Sequence, residues 1–414
     1  MWGIITMGIG QHYDVIVVGG GAGGIAAAAS LLSRDKRLNL AIVDPADKHY
    51  YQPGWTMVGG GIFQPVTTGR PMSSVIPTGA TWIKQAVAGF DPDNNTVHLD
   101  DDSQLHYDRM VVAPGLKLNW DGVEGLKESL GKNGVTSNYT YETASYTWKL
   151  VQELKSGKAL FTQPTMPIKC AGAPQKAMYL SADYWTKQGL INSIDVQFYT
   201  ATPGLFGVAA YVPALMQYVE KYQADLHFQH NLVKIDGDKK IATFQNGDGE
   251  TVESDYDMIH VCPPQVAPDF IRQSPLADAS GWIDVDQNTL QHKRYENIWS
   301  LGDGMNAPNA KTAAAARAQA PVVAINLLHH AGKLPNLCHY DGYGSCPLTV
   351  ERGKIVLAEF GYGGMLKPSF PKFLLDGEKP TQLAWFLKAK MLPWIYWEAM
   401  LKGREWMTKP IHQV

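Results

Sequence analysis

Cysteine is scarce, with four in 414 residues: Cys170, Cys262, Cys338 and Cys346. That excludes a disulfide-stapled framework in a chain this long, and any bridge among the four reads as reactive rather than structural. Basic charge is not in surplus either. With 36 Lys and Arg against 39 Asp and Glu, the formal net charge is -3, and no overall positive field exists to hold nucleic acid. No stretch of about 18 uninterrupted apolar residues occurs, so a spanning helix is not expected and any membrane contact would be made from one side. The opening MWGIITMGIGQ has no positive charge before its short apolar run and no small-residue cleavage site, so neither a secretory signal nor an Arg-rich presequence is expected. No metal site is expected. The length points to two or three domains.

What is present is an alternation of short apolar runs with small-residue helices. HYDVIVVGGGAGG, residues 12–24, takes four apolar residues into a glycine turn followed by IAAAASLL, which predicts strand, turn and helix. A second strand over Leu40 to Val43 ends on Asp44 and completes a βαβ unit. RMVVAPG, ending at Gly115, predicts a buried strand running into a Pro-Gly turn, and the polar stretch Lys117 to Asn138 marks a crossing between domains. From Ala159 the pattern renews. ALFTQP and MPIKC read as short strands, KAMYLSADYWTKQ as a helix, IDVQFYT as a strand, Val212 to Tyr222 as helical and MIHV as apolar strand. NIWSLGDG and KTAAAARAQAPVVAINLL then return the chain to the first domain as a strand ending in Gly-Asp and a long helix.

Gly19, Gly21 and Gly24 occupy the three glycine positions of a G-x-G-x-x-G fingerprint. Side chains there would block the tight turn, the approach of backbone N–H groups to a pyrophosphate and the packing of helix on strand. Asp44 follows about 20 residues later, placed for a ribose 2'-OH. Asp303 in SLGDGMN resembles the ribityl-binding Asp of flavoproteins of the glutathione-reductase type, which favours FAD over NAD. Lys311 and the start of the Ala-rich helix would then face the flavin pyrimidine. Ala22, Gln52, Gly115 and Thr312 complete the expected cofactor contacts. The corresponding turn of the second unit, KCAGAPQK, keeps one glycine and gains Pro174, which removes an N–H that a pyrophosphate needs, so no nicotinamide site is expected.

Cys170 lies between Lys169 and Lys176 at an expected helix start, an environment that lowers a thiol pKa. Cys346, in YDGYGSCPL, reads as an accessible sulfur in a glycine-rich loop. Cys262 reads as the end of a buried strand and Cys338 as part of a short linker, neither catalytic.

KHYYQPGWTMVGGG, PIKCAGAPQK, GWIDVDQNTLQHKRY, the Gly-Asp segment with KTAAAA, YDGYGSCPL and LPWIYWEAMLKG together resemble the sulfide:quinone oxidoreductases, particularly the mitochondrial type and its bacterial relatives, over nearly the whole length. The fold implied is α/β, with two Rossmann-like dinucleotide-binding domains and a C-terminal amphipathic helical tail that binds membrane. The FAD domain would take residues 12–130 and 265–345, the second domain 131–264, and the redox, quinone and membrane region 346–414. Cys170 and Cys346 become the catalytic pair, joined directly or through one additional sulfur. Hydrosulfide attacks the bridge and leaves a persulfide on Cys346; the electron pair passes to FAD and then to quinone, and the sulfur leaves on sulfite, glutathione, cyanide or another sulfide. Lys169 and Lys176 would gather the anionic substrate.

From Lys367 to Val414 there are eight Lys or Arg against four Asp or Glu, and the segment holds four of the twelve tryptophans. Two short helices, split by Pro393 and closed by Gly403, are expected there. Phe386, Leu387, Trp394 and Trp397 would enter the lipid headgroup layer, and Phe360, Tyr362 and Lys388 would line the quinone pocket. Family resemblance places such a protein peripherally on a bacterial cytoplasmic or mitochondrial inner membrane. FAD is expected to be noncovalent, because no cysteine lies in 117–138. A homo-oligomer is left open. Three rivals remain: a flavocytochrome-type sulfide dehydrogenase, an NADH:quinone dehydrogenase and a non-catalytic scaffold of this fold.

Overall fold

The computed structural model describes residues 11–408 and 410–412. A seven-stranded sheet organises the first unit. Its parallel core runs Ala80–Ile83, Leu40–Val43, Gln11–Val18 and Gln104–Val112, with Ile298–Ser300 added beside the C-terminal half of Gln104–Val112. The hairpin Val87–Asp91 and Thr96–Leu99 pairs antiparallel with the other half of that long strand. Val15 to Val18 and Leu40 to Val43 are buried throughout, as strands covered on both faces must be. Helices Ala22–Arg34 and Ala313–His330 pack together, their alanines letting the backbones approach closely.

The chain leaves this unit at Lys117–Leu118 and returns at Gln265–Val266, and the two crossings pair antiparallel. Between them lies a five-stranded parallel sheet in the order Val135–Thr136, Met258–His260, Gly157–Gln163, Ile194–Thr200 and Asp225–Phe228. A three-stranded antiparallel sheet, Asn231–Asp236, Ile241–Gln245 and Thr251–Asp255, flanks it.

Several local expectations change in three dimensions. MPIKC is not a strand; Lys169 makes only an isolated bridge to Lys311. Cys346 is not in an open loop but in the strand Gly344–Glu351, hairpinned with Lys354–Phe360, and it is buried. Apolar neighbours on alternate positions (Leu348, Val350) make that segment a strand with one face in the core, a period that the glycines before it obscured. Cys338 is likewise no linker residue; it lies buried in the strand Cys338–His339. The tail forms one continuous helical run rather than two helices. Gln382–Phe386 passes through a π-helical turn, Leu387–Met391, into Leu392–Glu398, and Pro393 falls in the first turn of that last segment. A proline beside a π turn loses a hydrogen bond without ending the helix. Gly403, at φ 67°, does end the following turn.

Candidate active site

A cavity of about 420 Å³ runs between the two sheets and the C-terminal helices. One end is the glycine turn. Gly19 has φ +101°, and a Cβ there would lie 2.3 Å from the Ala113 carbonyl oxygen; at Gly24 it would lie 1.8 Å from the oxygen of Gly19. Gly21 faces open space instead, with nothing within 4 Å of an added Cβ. The Asp44 carboxylate accepts the N–H groups of Gly20 (2.6 Å) and Ala46 (2.8 Å) on the same wall, which Ala22, Gln52 and Gly115 also line. Trp55 Nε1 and the Asn138 side-chain amide, which also line the cavity, are buried without a partner among the described residues. A turn closed to a Cβ at Gly19 and Gly24 and open at Gly21, with buried polar atoms left for a ligand to satisfy, fits a dinucleotide.

Further along stands Asp303, in the single turn Gly302–Gly304. Burial raises its carboxyl pKa against the pull of Lys311 and Lys169. Lys311 lines the cavity. Its Nζ donates to the carbonyls of Asp303 (2.7 Å) and Met305 (2.9 Å) and lies 4.4 Å from the centre of a Trp282 ring, so this buried cation braces the Gly-Asp turn. Burial pushes its pKa down to about 8. Thr312 caps helix Ala313–His330 by accepting from Ala315 N–H at 3.2 Å.

Cys170 sits on the cavity wall in a turn with φ 50°, held by its N–H to the Lys311 carbonyl at 2.8 Å. Its Sγ is 3.5 Å from Cys346 Sγ, and Lys176 Nζ is 3.1 Å from the first sulfur and 3.9 Å from the second. The Cys346 thiol donates to Cys170 and, with the Lys176 ammonium, holds the Cys170 thiol well below its usual range. Cys346 is pushed well above it by giving that hydrogen bond and by burial. One thiolate and one thiol share the site. Burial and the like charge of Lys176 bring Lys388 down to about 8; its Nζ donates to the Pro53 carbonyl at 3.1 Å. Lys169 Nζ donates to Gln52 Oε1 at 2.7 Å. Cys262 is buried and its thiol is pushed up to about 12 by desolvation.

The same hairpin closes the helix start where a second dinucleotide would sit. A Cβ on Gly172, the residue capping helix Ala173–Lys187, would lie 2.2 Å from Leu348 Cδ2 and 2.7 Å from Cys346 Sγ. Side chains of the hairpin therefore pack closely against the start of this helix.

Other expected residues lie elsewhere. Phe360 packs against Phe206 and Tyr362 against Tyr340, both outside the cavity lining, because Phe360 points to the core face of its strand. Trp397 is buried, edge-on to Tyr396, with the Arg70 guanidinium 4.3 Å from its ring centre, so it belongs to the core and not to a lipid face. Leu387 is half-buried and lines the cavity. Phe386 and Trp394 are exposed at 53% and 52%, with Leu383, Phe373 and Trp406 exposed beside them in sequence. No helix among the described residues is long and apolar enough to cross a membrane. Sequence reasoning missed Trp55, Asn138 and Tyr343 on the cavity wall. The run of aromatics around QPGW and SNYTY was the available signal.

A glycine cradle opening onto a paired cysteine defines an α/β disulfide oxidoreductase that works through a bound dinucleotide, and residues 13–165 match the model of the pyridine nucleotide-disulphide oxidoreductases. Two curated relatives are named "Sulfide:quinone oxidoreductase, mitochondrial". The Dictyostelium discoideum protein is 46% identical over 95% of this chain and 87% of its own, and the Mus musculus protein 41% identical over 95% and 87%. The chain belongs to the sulfide:quinone oxidoreductase family. Among solved structures, a chain of the Tetrahymena thermophila mitochondrial ATP synthase superposes with a TM-score of 0.83 (21% identity, 96% and 98% of the two chains). The sulfide:quinone oxidoreductase of Aquifex aeolicus gives 0.78 (20% identity, 95% and 92%). Both show the shared fold.

Proposed function

We propose that the chain oxidises sulfide at the Cys170–Cys346 pair and passes the electrons to a membrane quinone. Sulfide and quinone are its substrates and FAD its cofactor. The observation that carries the role of the pair is the asymmetric, lysine-held couple of sulfurs, of which Cys170 lines the dinucleotide cavity and Cys346 lies buried behind it. A disulfide is reached by closing the 3.5 Å gap. One inserted sulfur also fits, since two S–S bonds hinged at a central atom span about 3.3 Å.

Hydrosulfide attacks the Cys346 sulfur of the bridge; the new S–S bond forms there as the Cys170 sulfur leaves. This direction is favoured because the sulfur with the depressed pKa is the better leaving group, and Lys176 stabilises the thiolate as it departs. The outer sulfur of the Cys346 persulfide then passes to a nucleophile such as sulfite, glutathione or cyanide. Bound FAD would supply the two-electron acceptor between the Cys170 thiolate and quinone. Gly19, Gly21 and Gly24 would cradle its pyrophosphate, Asp44 its ribose and Asp303 its ribityl chain, without a covalent link. The second unit is a Rossmann-like domain that has given up its nucleotide, consistent with the close packing at Gly172. Peripheral attachment to a mitochondrial inner or bacterial cytoplasmic membrane runs through the exposed Leu383, Phe386 and Trp394, in a segment that also carries the exposed Lys390 and Lys402.

Anaerobic stopped-flow mixing with sulfide should bleach the flavin absorbance and a short-chain quinone should restore it, while NADH does neither. Cys170→Ser and Cys346→Ser should each keep FAD and lose the bleaching. Full bleaching in either variant, or bleaching by NADH, ends this reading; a scaffold without activity shows no bleaching at all.

A further inference from the structure

The hairpin Gly344–Glu351 with Lys354–Phe360 has two faces of different character. Strand alternation sends Cys346, Leu348, Val356 and Ala358 into the core with helix Ala173–Lys187, and sends Ser345, Pro347, Leu357 and Glu359 to the cavity. One sheet thickness therefore divides the Cys346 sulfur from this stretch of the cavity. Leu387, Leu392 and Ile395 of the tail helix form its apolar wall, and exposed Met407 lies at its rim.

Set into this wall is a carboxyl group. Glu359 is 4% exposed, and its strand is fixed by Tyr211, whose Oη accepts the Glu359 N–H at 3.0 Å and faces its carbonyl at 3.0 Å. Oε1 accepts from Tyr343 Oη at 2.7 Å and from Ser369 Oγ, and Oε2 accepts from the Ser369 N–H at 3.0 Å. Tyr343 Oη and Ser369 Oγ are 3.2 Å apart. Ser369 is exposed, and all three side chains border the cavity. An unbroken line of oxygens at hydrogen-bond spacing thus runs from solvent into an apolar compartment. A buried acid in such a wall is costly to keep, and the sulfur chemistry makes no use of this one.

We propose that Ser369, Glu359 and Tyr343 are the proton inlet for quinone reduction, with Tyr343 Oη as the group that meets the quinone oxygen. The inference rests on the sulfide:quinone reading above. Making a quinol consumes two electrons and two protons. The electron pair and one proton come from the reduced cofactor; the other proton comes from Tyr343, whose O–H bond breaks as the quinol O–H bond forms. Ser369 Oγ, 3.2 Å from Tyr343 Oη, replaces the lost proton as its own O–H bond breaks and takes one from water, while the Glu359 carboxylate, accepting from both hydroxyls, holds them in line and stabilises the passing proton; one solvent proton is consumed and Tyr343 and Ser369 return to their starting state. Burial and the neighbouring Glu359 raise the Tyr343 pKa, which makes a free tyrosinate costly and couples its proton loss to the proton arriving behind it.

The test is the two half-reactions of the FAD-loaded enzyme in Glu359→Gln and Tyr343→Phe, the second removing only a hydroxyl. Sulfide bleaching in the parent protein checks the underlying reading by itself. With that in place, reoxidation by saturating short-chain quinone should slow about 100-fold in either variant. Ferricyanide, which takes electrons without protons, should reoxidise them at the parent rate, and the parent quinone reaction should show a solvent deuterium isotope effect. Parent-like quinone rates in both variants overturn the proposal. So does an equal slowing with ferricyanide, or a change confined to the quinone KM.

Discussion

At the residue scale, a hydrogen bond between the two sulfurs and one buried ammonium together set the character of the pair. The hydrogen bond from Cys346 contributes most to the lowered pKa of Cys170, and Lys176 follows. A thiol whose pKa is depressed by folding stabilises the fold above the unfolded value of about 8.5, and that contribution is lost as pH falls through the lowered folded value. Between those limits Cys170 stays ionised while Cys346 stays protonated. Lys176→Met should therefore move the alkylation-rate profile of reduced Cys170 to higher pH and slow its reaction with iodoacetamide at pH 7 about tenfold. An unchanged profile would show that Cys346 alone sets the thiolate. The lysines flanking Cys170 are legible as a chemical environment because they lie within six residues of it. That the partner sulfur comes from position 346, on the buried face of a strand, is a matter of packing.

At the element scale, the tail helix does two jobs along one length. Its exposed turn carries Leu383, Phe386 and Trp394; its other face places Tyr396, Trp397, Met400 and Leu401 in the core of the first unit. Trp394 and Trp397 are three residues apart and look alike in sequence, yet they should respond oppositely. Trp397→Ala should cost about 3–5 kcal/mol in denaturant unfolding, the range for deleting a packed indole. Trp394→Ala should change stability by no more than about 0.5 kcal/mol, but combined with Phe386→Ala it should weaken co-sedimentation with anionic vesicles. Equal losses of stability at the two positions would refute this division. An amphipathic pattern says that a helix has two faces, but where both faces carry tryptophan it does not say which one meets protein.

At the scale of the whole molecule, the C-terminal helix and the N-terminal nucleotide turn are one structure. Neutral His49 donates from Nδ1 to the Gly20 carbonyl at 2.9 Å and accepts at Nε2 from Tyr396 Oη at 2.7 Å. Burial lowers its pKa, so the unfolded chain binds a proton that the folded one refuses, and stability falls as pH drops below about 6.5. FAD release on acidification should follow that slope, and His49→Gln should flatten it; a slope unchanged in the variant would assign the effect to other groups. Deleting residues 380–414 should likewise cost FAD together with quinone activity, measured as flavin per protein, because the deletion opens the core beneath the cradle rather than merely detaching an anchor. The glycine spacing, Asp44 after its strand, the Gly-Asp turn and the renewed strand-helix alternation were all readable in one dimension, because backbone sterics and side-chain periodicity act over a few residues. The pairing of Cys170 with Cys346 was legible only through the family resemblance, and the close packing at Gly172, the bracing role of Lys311 and the Glu359 oxygen line were not legible at all. Each depends on which face of an element turns inward, and only the simultaneous packing of distant segments decides that.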